Sequence, residues 1–491
     1  MDPVERVCQE LAQGNSSAAI LPSSSRYSAL SDENWSATAW AKPSCIVQPR
    51  QIADLQAIVR LVTRDQVPFA IRSGGHMPSP LGANINRGVL IDMSGFNSFL
   101  YNSTSTLATV GMGQTWLTVY EGLEVYNRTA VGGRVPEVGV GGLLLGSGLS
   151  YLSDLYGLAC DNVVDFEIVL ANGSAVHANA RDHADLFWAL KGGANNFGIV
   201  TTATIQTYPM GPVWGGIKWY SSEQLPAVME ALYEYQTAPN KDPYANLMVE
   251  AVPLNSTGGV ILNLVYLKPE PAPAAFAPFA ALPTVLDTTQ IQSFLTFMSG
   301  AVLPDLPRWD WHATSFTPSR RLYSQLADLF LSPRTTNASD SDRGSGRTGP
   351  LAQLNPVLGR TLSVGLQPIS ASAVLAGTAP GRGAGNALGL QPVNQTWLVL
   401  DIGWELAADD ARVHRATAGV RAEIEALAQQ ERSDLEYIFM NDASWDQEVI
   451  AHYGEANVRR LREVQRRYDP DLVFQRLVPG GFKLGSGESF T

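Results

Sequence analysis

The chain has 491 residues, more than one ordinary hydrophobic core accommodates, so we expect two or three domains. Its composition, 45% hydrophobic and 16% charged, is typical of a soluble globular protein, and no apolar run approaches the length of a membrane span. A formal net charge of −12 argues against nucleic acid as a partner, because phosphate backbones are bound by cations.

The N-terminal arm, residues 1–44, is rich in serine and asparagine and shows little periodicity. Its start is acidic and lacks the apolar core of a signal peptide. Eight N-x-S/T acceptors nevertheless occur in the chain, where chance gives roughly three. They predict N-glycans and passage through the secretory route. The acceptors are Asn15, Asn34, Asn102, Asn127, Asn172, Asn255, Asn337 and Asn394.

Cysteine is scarce, with Cys8, Cys45 and Cys160 along the whole chain. A disulfide between Cys8 and Cys45 would close a loop in the arm and stabilise the fold by about 3–4 kcal/mol. Three free, buried thiols are the alternative. We expect the disulfide, which adds to the argument for a secretory or extracellular location.

Residues 45–208 combine short strands with interspersed helices, the pattern of an α+β fold. Between the first two strands, Leu55, Ile58, Val59 and Val62 repeat at the 3.6-residue period and predict a helix. Further strands are predicted at 89–93, 107–111, 163–170 and 199–207, and further helices at 115–126 and 183–190.

The strand at 67–71 runs directly into Arg72, Ser73, Gly74, Gly75 and His76. A glycine pair at a strand end presents bare backbone N–H groups, which can hold a phosphate or a flat ring system against the main chain. His76 projects from the rim of that turn, where an imidazole suits a bound organic cofactor. The alternative is a tight turn with a surface histidine.

A second glycine cluster places Gly139, Gly141, Gly142, Gly146 and Gly148 within ten residues. Each glycine costs roughly 0.5–1 kcal/mol relative to alanine in regular structure. A ligand that needs close approach to the backbone accounts for that cost, and a purely structural glycine loop is the alternative. The spacing is not G-x-G-x-x-G between a strand and a helix, so it does not indicate a Rossmann dinucleotide fold.

The composition changes near Pro209. Residues 210–430 include longer strands, such as 260–267 and 397–404, and a long helix at 410–430. Polar, glycine-rich stretches at 333–350 and 377–389 predict loops.

Five segments occur in one order along the chain: RSGGH at 72–76, GVGGLLLGSGLS at 139–150, YGLACDNVVDFEIVLANG at 156–173, LFWALKGGANNFGIVT at 186–201 and YGEANVRRLREVQRRYDPDLVF at 453–474. Together they resemble the flavoproteins of vanillyl-alcohol-oxidase type, with a PCMH-type FAD-binding domain, in the berberine-bridge-enzyme-like branch. The resemblance is greatest to fungal FAD-linked oxidoreductases. Each segment alone is a weak signal, whereas five in order are specific.

The resemblance implies an α+β fold with a two-part FAD-binding domain, residues 45–208 completed by a C-terminal segment at 434–491. A substrate domain at 209–433, an antiparallel sheet backed by helices, is inserted between the two parts. FAD is the implied cofactor. Beyond the two glycine motifs, the implied cofactor contacts are Val138, Gly157, Asp161, Asn162, Ile199 and Val200.

In this family, a histidine at the position of His76 is joined to the flavin 8α-methyl. Many members add a second link through a cysteine, but Val135 stands at that position, so the resemblance implies a single link. Ser147 replaces a usual glycine. Valine at the position of Val138 goes with oxidase behaviour, which implies O₂ as acceptor and H₂O₂ as product.

The resemblance leaves the catalytic base less defined. Asp442 falls where plant relatives carry a tyrosine base, and the neighbouring Asn441 is retained. A carboxylate desolvated beside a flavin can act as a base. An aspartate that caps a turn before Trp445 is the alternative.

Four residues on predicted substrate-domain strands could line the pocket, namely Tyr220, Asp401, Trp404 and Glu405. Alternation places Asp401 and Glu405 on one strand face, as pocket residues or as ordinary exposed carboxylates. We expect the other histidines to be structural or at the surface, and we expect no metal site, because none has metal-like spacing. They are His177, His183, His312, His414 and His452.

The motifs favour a covalent-FAD oxidase that acts with O₂ on an alcohol, amine or activated C–H of a small organic molecule, such as a secondary-metabolite intermediate. Two alternatives stay open. One is a flavin-containing isomerase or cyclase without net oxidation, and the other is a non-catalytic secreted glycoprotein of the same fold. The sequence identifies neither the substrate nor the oligomeric state.

Overall fold

The computed structural model describes residues 2–14, 19–252, 258–300, 304–331, 350–379 and 385–485. Nearly all of the loop predicted at 333–350 lies outside the described residues, as do the acceptors Asn15, Asn255 and Asn337. The chain divides into two compact units. The first comprises Met1–Gly211, Ala373–Leu390 and Glu448–Thr491, and the second Pro212–Ser372 and Gln391–Gln447.

The described residues form an α+β fold. The helices, α1 to α15 in chain order, are Pro3–Gln13, Tyr27–Ser31, Ile52–Arg64, Trp116–Glu124, Val140–Gly146, Ser153–Tyr156, Ala184–Leu190, Leu225–Thr237, Ala277–Ala280, Phe294–Ser299, Arg320–Leu331, Ala371–Gly377, Asp410–Gln430, Glu455–Tyr468 and Val473–Arg476. The strands, β1 to β18, are Cys45–Val47, Phe69–Arg72, Val89–Asp92, Phe99–Asn102, Leu107–Gly111, Arg128–Ala130, Val163–Val169, Ala175–Asn179, Ile199–Pro209, Val213–Ser221, Ala245–Ala251, Gly259–Tyr266, Leu286–Asp287, Gln290–Gln292, Arg308–Phe316, Thr361–Ile369, Gln395–Trp404 and Asp434–Leu435.

The first unit holds a parallel sheet in the order β1-β3-β2 and an antiparallel sheet in the order β4-β5-β9-β7-β8, with β6 paired to β9. Helix α3 connects β1 to β2, and its apolar face packs into the core beside the parallel sheet. That face contains Leu55, Ile58, Val59 and Val62, so the helix predicted from their periodicity is confirmed.

The second unit is built on a nine-stranded sheet in the order β13-β10-β12-β11-β16-β17-β15-β18, with β14 paired to β10. All its strand pairs are antiparallel. Apolar side chains of α8, α11 and α13 form one core with alternate residues of the strands. The predicted antiparallel sheet backed by helices is therefore confirmed. Searched over its described residues, the chain has no helix long and apolar enough to cross a membrane.

Strand alternation gives that sheet two different faces. Leu398, Leu400 and Ile402 of β17 belong to the core shared with the helices. Asp401 points to the other face, in register with Trp311 of β15 and Ser363 of β16.

The alternation expected to place Asp401 and Glu405 on one strand face does not extend to Glu405, because β17 ends at Trp404. Trp404 is itself on the helix side, where its indole Nε1 donates a hydrogen bond to Asp410 Oδ1 at 3.0 Å. Glu405 is exposed beyond the strand end.

The predicted disulfide between Cys8 and Cys45 is present and joins α1 to β1, with the two Cα atoms 5.8 Å apart. The third cysteine, Cys160, is a buried free thiol. The disulfide fixes the start of the arm against the parallel sheet, since Val4, Val7 and Cys8 lie in the same core as that sheet.

Replacing both Cys8 and Cys45 by serine should lower the free energy of unfolding by about 4 kcal/mol, because the bond closes a loop of 37 residues. Denaturant unfolding measures the loss. The control is Cys160→Ala, which leaves the disulfide in place and should cost about 1 kcal/mol. Peptide mapping without reduction that recovered Cys8 and Cys45 as free thiols would contradict the structure.

Candidate functional site

The two glycine motifs of the first unit meet backbone to backbone. A Cβ placed on Gly74 would lie 2.5 Å from the backbone nitrogen of Gly139, and a Cβ on Gly139 would lie 2.3 Å from that of Gly74. Real side chains never approach backbone so closely, so both positions require glycine. Ser73 ties the contact together, because its Oγ donates to Met112 O at 2.6 Å and accepts from the Gly141 N–H at 3.2 Å.

His76 follows this contact and lies flat against an aromatic ring. Its imidazole stacks on the Trp35 indole, with ring centroids 4.4 Å apart and planes 8° from parallel. The Trp35 backbone N–H donates to Gly75 O at 3.1 Å, which fixes this residue beside the turn. Burial lowers the pKa of His76 to about 4, so its imidazole is neutral near pH 7.

Trp35 carries no sequence signal, because it lies in the arm outside any periodic pattern. The alternative of a surface histidine at position 76 does not describe this site, since the ring is half-buried and stacked. A neutral imidazole beside exposed glycine backbone fits the attachment of a flat cofactor such as FAD.

The side chain of Arg72 joins separate segments of the first unit, a role that the sequence did not predict. Its guanidinium is 2% exposed and donates to Asp92 Oδ2 at 3.1 Å, Glu33 Oε2 at 2.7 Å, Leu30 O at 2.7 Å and Asn34 Oδ1 at 3.3 Å. These bonds hold the arm to β2 and β3. The Arg72 guanidinium thus positions the glycine turn, and a direct contact between Arg72 and the cofactor stays a prediction.

The prediction that the N-x-S/T acceptors carry glycans has to be corrected at Asn34. It is 2% exposed, and its side-chain oxygen accepts from both Arg72 and Asn84. A glycan on this asparagine is incompatible with the fold. The amide of Asn394 is also engaged, because it donates to Gln236 O at 2.8 Å. The exposed acceptors in the described residues are Asn102, Asn127 and Asn172.

The second glycine motif continues as α5 and a tight turn. Gly142 is exposed, and a Cβ placed there would meet no atom within 4 Å. Gly146 ends the helix, and Ser147 follows with a φ of 120°, a conformation that glycine adopts easily and serine does not. The buried Ser147 hydroxyl has no hydrogen-bond partner among the described residues. This strain agrees with glycine being usual at that position.

Asp161 and Asn162 hold the turn before β7 together. Asp161 accepts from the Leu158 N–H at 2.9 Å and from Asn386 Nδ2 at 2.8 Å. Asn162 Nδ2 donates to Tyr156 O and Leu158 O. Their side chains thus organise backbone in the region of the predicted cofactor contacts.

The remaining predicted contacts are backbone and strand positions. Gly148 and Gly157 occupy left-handed turn positions, with φ of 76° and 79°. Ile199 and Val200 are buried on β9, paired with β7. Val138 is half-buried beside the glycine contact, and its carbonyl accepts from the Trp116 N–H at 3.0 Å.

In the second unit, Asp442 and Asn441 lie in a 3₁₀ turn, Met440–Asp442, and both are half-buried. Gln367 Nε2 donates to Asp442 Oδ2 at 2.7 Å and orients the carboxylate. Trp397 stacks on Phe439, just before this turn, with ring centroids 4.6 Å apart. The carboxylate is therefore held by a side-chain amide, beyond any role in capping the turn.

Tyr220 does not have the predicted place in a pocket. It is 0% exposed and belongs to the core between the sheet and the helices. Burial raises the pKa of its hydroxyl, which keeps the proton on the oxygen. Its assignment as a catalytic residue is corrected to a core residue, because strand alternation turned it to the helix face.

Comparisons with known proteins agree with this geometry. The family described as "FAD binding domain" matches residues 43–179. The bifunctional solanapyrone synthase of Alternaria solani is 35% identical over 98% of this chain and 89% of that protein. An FAD-dependent monooxygenase of Arthrobotrys oligospora is 34% identical over 93% of this chain and 85% of that protein.

A similar fold occurs in a solved structure, the glucooligosaccharide oxidase of Acremonium strictum, with a TM-score of 0.75 at 18% identity. The likeness covers 98% of this chain and 99% of that one. That oxidase carries a 6-S-cysteinyl, 8α-N1-histidyl FAD.

Gly139→Ala should destabilise the first unit by about 1–3 kcal/mol and lower its flavin content, because the new methyl group collides with the Gly74 backbone. Thermal unfolding and the ratio of flavin to protein absorbance measure both effects. Gly142→Ala is the matched control, since its methyl group meets no protein atom, and its unfolding temperature should not fall. Equal losses of unfolding temperature in the two variants would show that the close contact is unimportant, and flavin content is compared only between Gly139→Ala and the wild type, because Gly142 is itself a predicted cofactor contact.

Proposed function

Because the chain belongs to the vanillyl-alcohol-oxidase-type family of FAD-dependent oxidoreductases, in its berberine-bridge-enzyme-like branch, we propose that it is an oxidase with one covalent link to FAD, through His76. The protein is thus an FAD-dependent enzyme of the oxidoreductase class. The observation that carries the finer proposal is the neutral imidazole of His76, buried against Trp35 at the end of the glycine turn.

A neutral ring nitrogen is the form that can bond to carbon, and lowering its pKa to about 4 keeps it in that form at neutral pH. The link replaces one C–H of the flavin 8α-methyl and the N–H of His76 by a C–N bond, and the two hydrogens with their electrons pass to O₂ as H₂O₂. Val135, where other members carry a linking cysteine, supports a single tether. The histidyl FAD of the glucooligosaccharide oxidase supports the chemistry by analogy of fold.

A bound flavin would supply the acceptor for a hydride from the substrate carbon, and O₂ would take up the two electrons and two protons as H₂O₂. The chain must then accept the proton of the substrate O–H or N–H. Asp442 is the proposed base, since Gln367 binds one carboxylate oxygen and fixes its orientation. Hydride and proton together are the two hydrogens that the substrate loses.

We propose a small organic intermediate of secondary metabolism as the substrate. The support is the name of the Alternaria relative, a solanapyrone synthase that matches nearly the whole chain. That name also describes a bifunctional synthase, and a synthase step need not be an oxidation, so a cyclisation or isomerisation without net oxidation is the second candidate function. The Cys8–Cys45 disulfide and the exposed acceptors Asn102, Asn127 and Asn172 support a secretory or extracellular location.

His76→Ala should abolish covalent flavin, because it removes the nitrogen that forms the bond. Acid precipitation measures this, since about one flavin per chain should stay in the wild-type pellet and none in that of the variant. The control His177→Ala removes an exposed histidine, bonded to Asp165, and should keep the flavin in the pellet. Free flavin in the wild-type supernatant would contradict the link.

Asp442→Asn should lower kcat/KM by about 10²–10⁴-fold, because the amide cannot accept the substrate proton. A screen of small alcohols and aromatic metabolites with an oxygen electrode supplies the assay, with one H₂O₂ formed per product. The control Glu405→Gln changes an exposed carboxylate and should keep activity. Product formed without O₂ uptake would reject the oxidase and favour the cyclase or isomerase.

A further inference from the structure

One cluster of metal-ligating side chains is separate from the residues assigned to catalysis. Asp310 and His312 are two apart on β15, so they point to the same face of the sheet. His414 reaches them from α13. This is the face packed against the helices, opposite to the one that displays Asp401 and Trp311.

The three side chains converge on one point. His414 Nδ1 lies 3.0 Å from Asp310 Oδ1, and His312 Nε2 lies 3.3 Å from Asp310 Oδ2. One donor atom from each residue lies within 4.8 Å of the other two. Ligands at about 2.0–2.2 Å from a tetrahedral ion lie about 3.4 Å from one another, close to the two nitrogen–oxygen distances given above, so rotations that bring all three donor atoms to that separation would complete the coordination.

His312 is not satisfied by the protein groups around it. Its side chain is 0% exposed, and neither ring nitrogen makes a hydrogen bond of acceptable geometry within the described residues. Asp310 Oδ2, which faces the His312 ring, also lacks a hydrogen-bond partner within the described residues. Unsatisfied buried polar groups cost about 1–3 kcal/mol each, and a bound cation would remove that cost.

A second carboxylate, that of Asp446, contacts the side of the His414 ring that faces away from Asp310. The second ring nitrogen of His414, Nε2, lies 3.1 Å from Asp446 Oδ2. The His414 ring also stacks on Trp445, with centroids 5.2 Å apart and planes 18° from parallel. A histidine that faces a metal through one nitrogen and a carboxylate through the other is a recurring device, since the carboxylate fixes the ring and strengthens the ligand.

We propose that Asp310, His312 and His414 form a binding site for a divalent transition metal, with Zn²⁺ as the ion that best fits. Two imidazoles and one carboxylate are typical zinc ligands, whereas Ca²⁺ and Mg²⁺ prefer oxygen alone. A water molecule would supply the fourth position. The ion would join β15 to α13 on the core side of the sheet, so its role is to stabilise the second unit.

Sequence spacing does not reveal this site, because 104 positions separate Asp310 from His414. The expectation that both histidines are merely structural rested on the short distances in sequence that most zinc motifs show. Folding places them together through the packing of α13 on the sheet.

The test uses the flavin-containing protein, treated with a chelator and then exposed to Zn²⁺ alone. After gel filtration, elemental analysis should find about one zinc per chain, and Zn²⁺ should raise the unfolding temperature. Co²⁺ in place of Zn²⁺ should give the visible absorption of a tetrahedral site. Activity is not the readout, so the result is independent of the proposed oxidation.

His414→Gln should weaken zinc binding at least about tenfold, and Asp446→Asn about 10–100-fold. The matched control is His177→Gln, because His177 also lies against carboxylates, Asp165 and Glu167, on the first unit. It should bind zinc as the wild type does. We test His414 and not the fully buried His312, because a substitution at His312 is more disruptive to folding. His414 is half-buried on a long helix, so its variant should fold.

Absence of stoichiometric zinc in the wild type would overturn the proposal, as would equal binding by His414→Gln. In either case the cluster is a metal-free network in which His414 is hydrogen-bonded to Asp310 and Asp446. Loss of binding in His177→Gln alone would place the zinc at the surface of β8 and would also reject the proposal.

Discussion

The contact between Gly74 and Gly139 is the constraint on which the candidate cofactor site depends. Two stretches of backbone approach so closely that no side chain fits between them, and the Ser73 hydroxyl joins them by bonding to Met112 and to Gly141. This contact brings a turn after a parallel strand against a loop that precedes a helix. The turn that leads to His76 is thereby held beside Val138, whose carbonyl carbon would lie 3.6 Å from a Cβ placed on Gly74.

The second unit depends on a different constraint, the alternation of side chains along its strands. Every other residue of β17 enters the core shared with α8, α11 and α13, and the residues between them form the opposite face. Asp401 is displayed on that opposite face, whereas Tyr220 of β10 and the Asp310–His312 pair of β15 face the helices. One sheet thus carries the candidate metal cluster on the face that packs against the helices, and Asp401, Trp311 and Ser363 on the other face.

Structural features that depend on local sequence patterns could be predicted well. The period of Leu55, Ile58 and Val59 indicated a helix, and the order of the five motifs indicated the fold class, because a backbone that binds FAD needs its glycines at particular turns. The disulfide was predicted because Cys8 lies in the arm and Cys45 directly follows it. Asp442 could be selected only by resemblance, and its bond to Gln367 had no sequence signal.

Interactions between distant parts of the chain could not be predicted. Arg72 was assigned to the cofactor, yet its partners Glu33 and Asp92 come from the arm and from β3. Tyr220 was misplaced because one residue of strand register decides which face a side chain occupies. The role of Trp35 could not be predicted for the same reason as the metal cluster. The residues adjacent to Trp35 in sequence do not indicate that it packs against His76.

The arm has a consequence for where the functional unit of this protein begins. Leu30, Glu33 and Asn34 bind the Arg72 guanidinium, and Trp35 covers the ring of His76. The sequence family matches only from residue 43 onward, after all four of these residues. A fragment cut at the family boundary would keep both glycine motifs but lose the aromatic wall of the imidazole and three of the acceptors around the arginine. Substitutions at Leu30, Glu33, Asn34 or Trp35 should therefore alter the surroundings of Arg72 and His76, although these four residues lie outside the matched family domain.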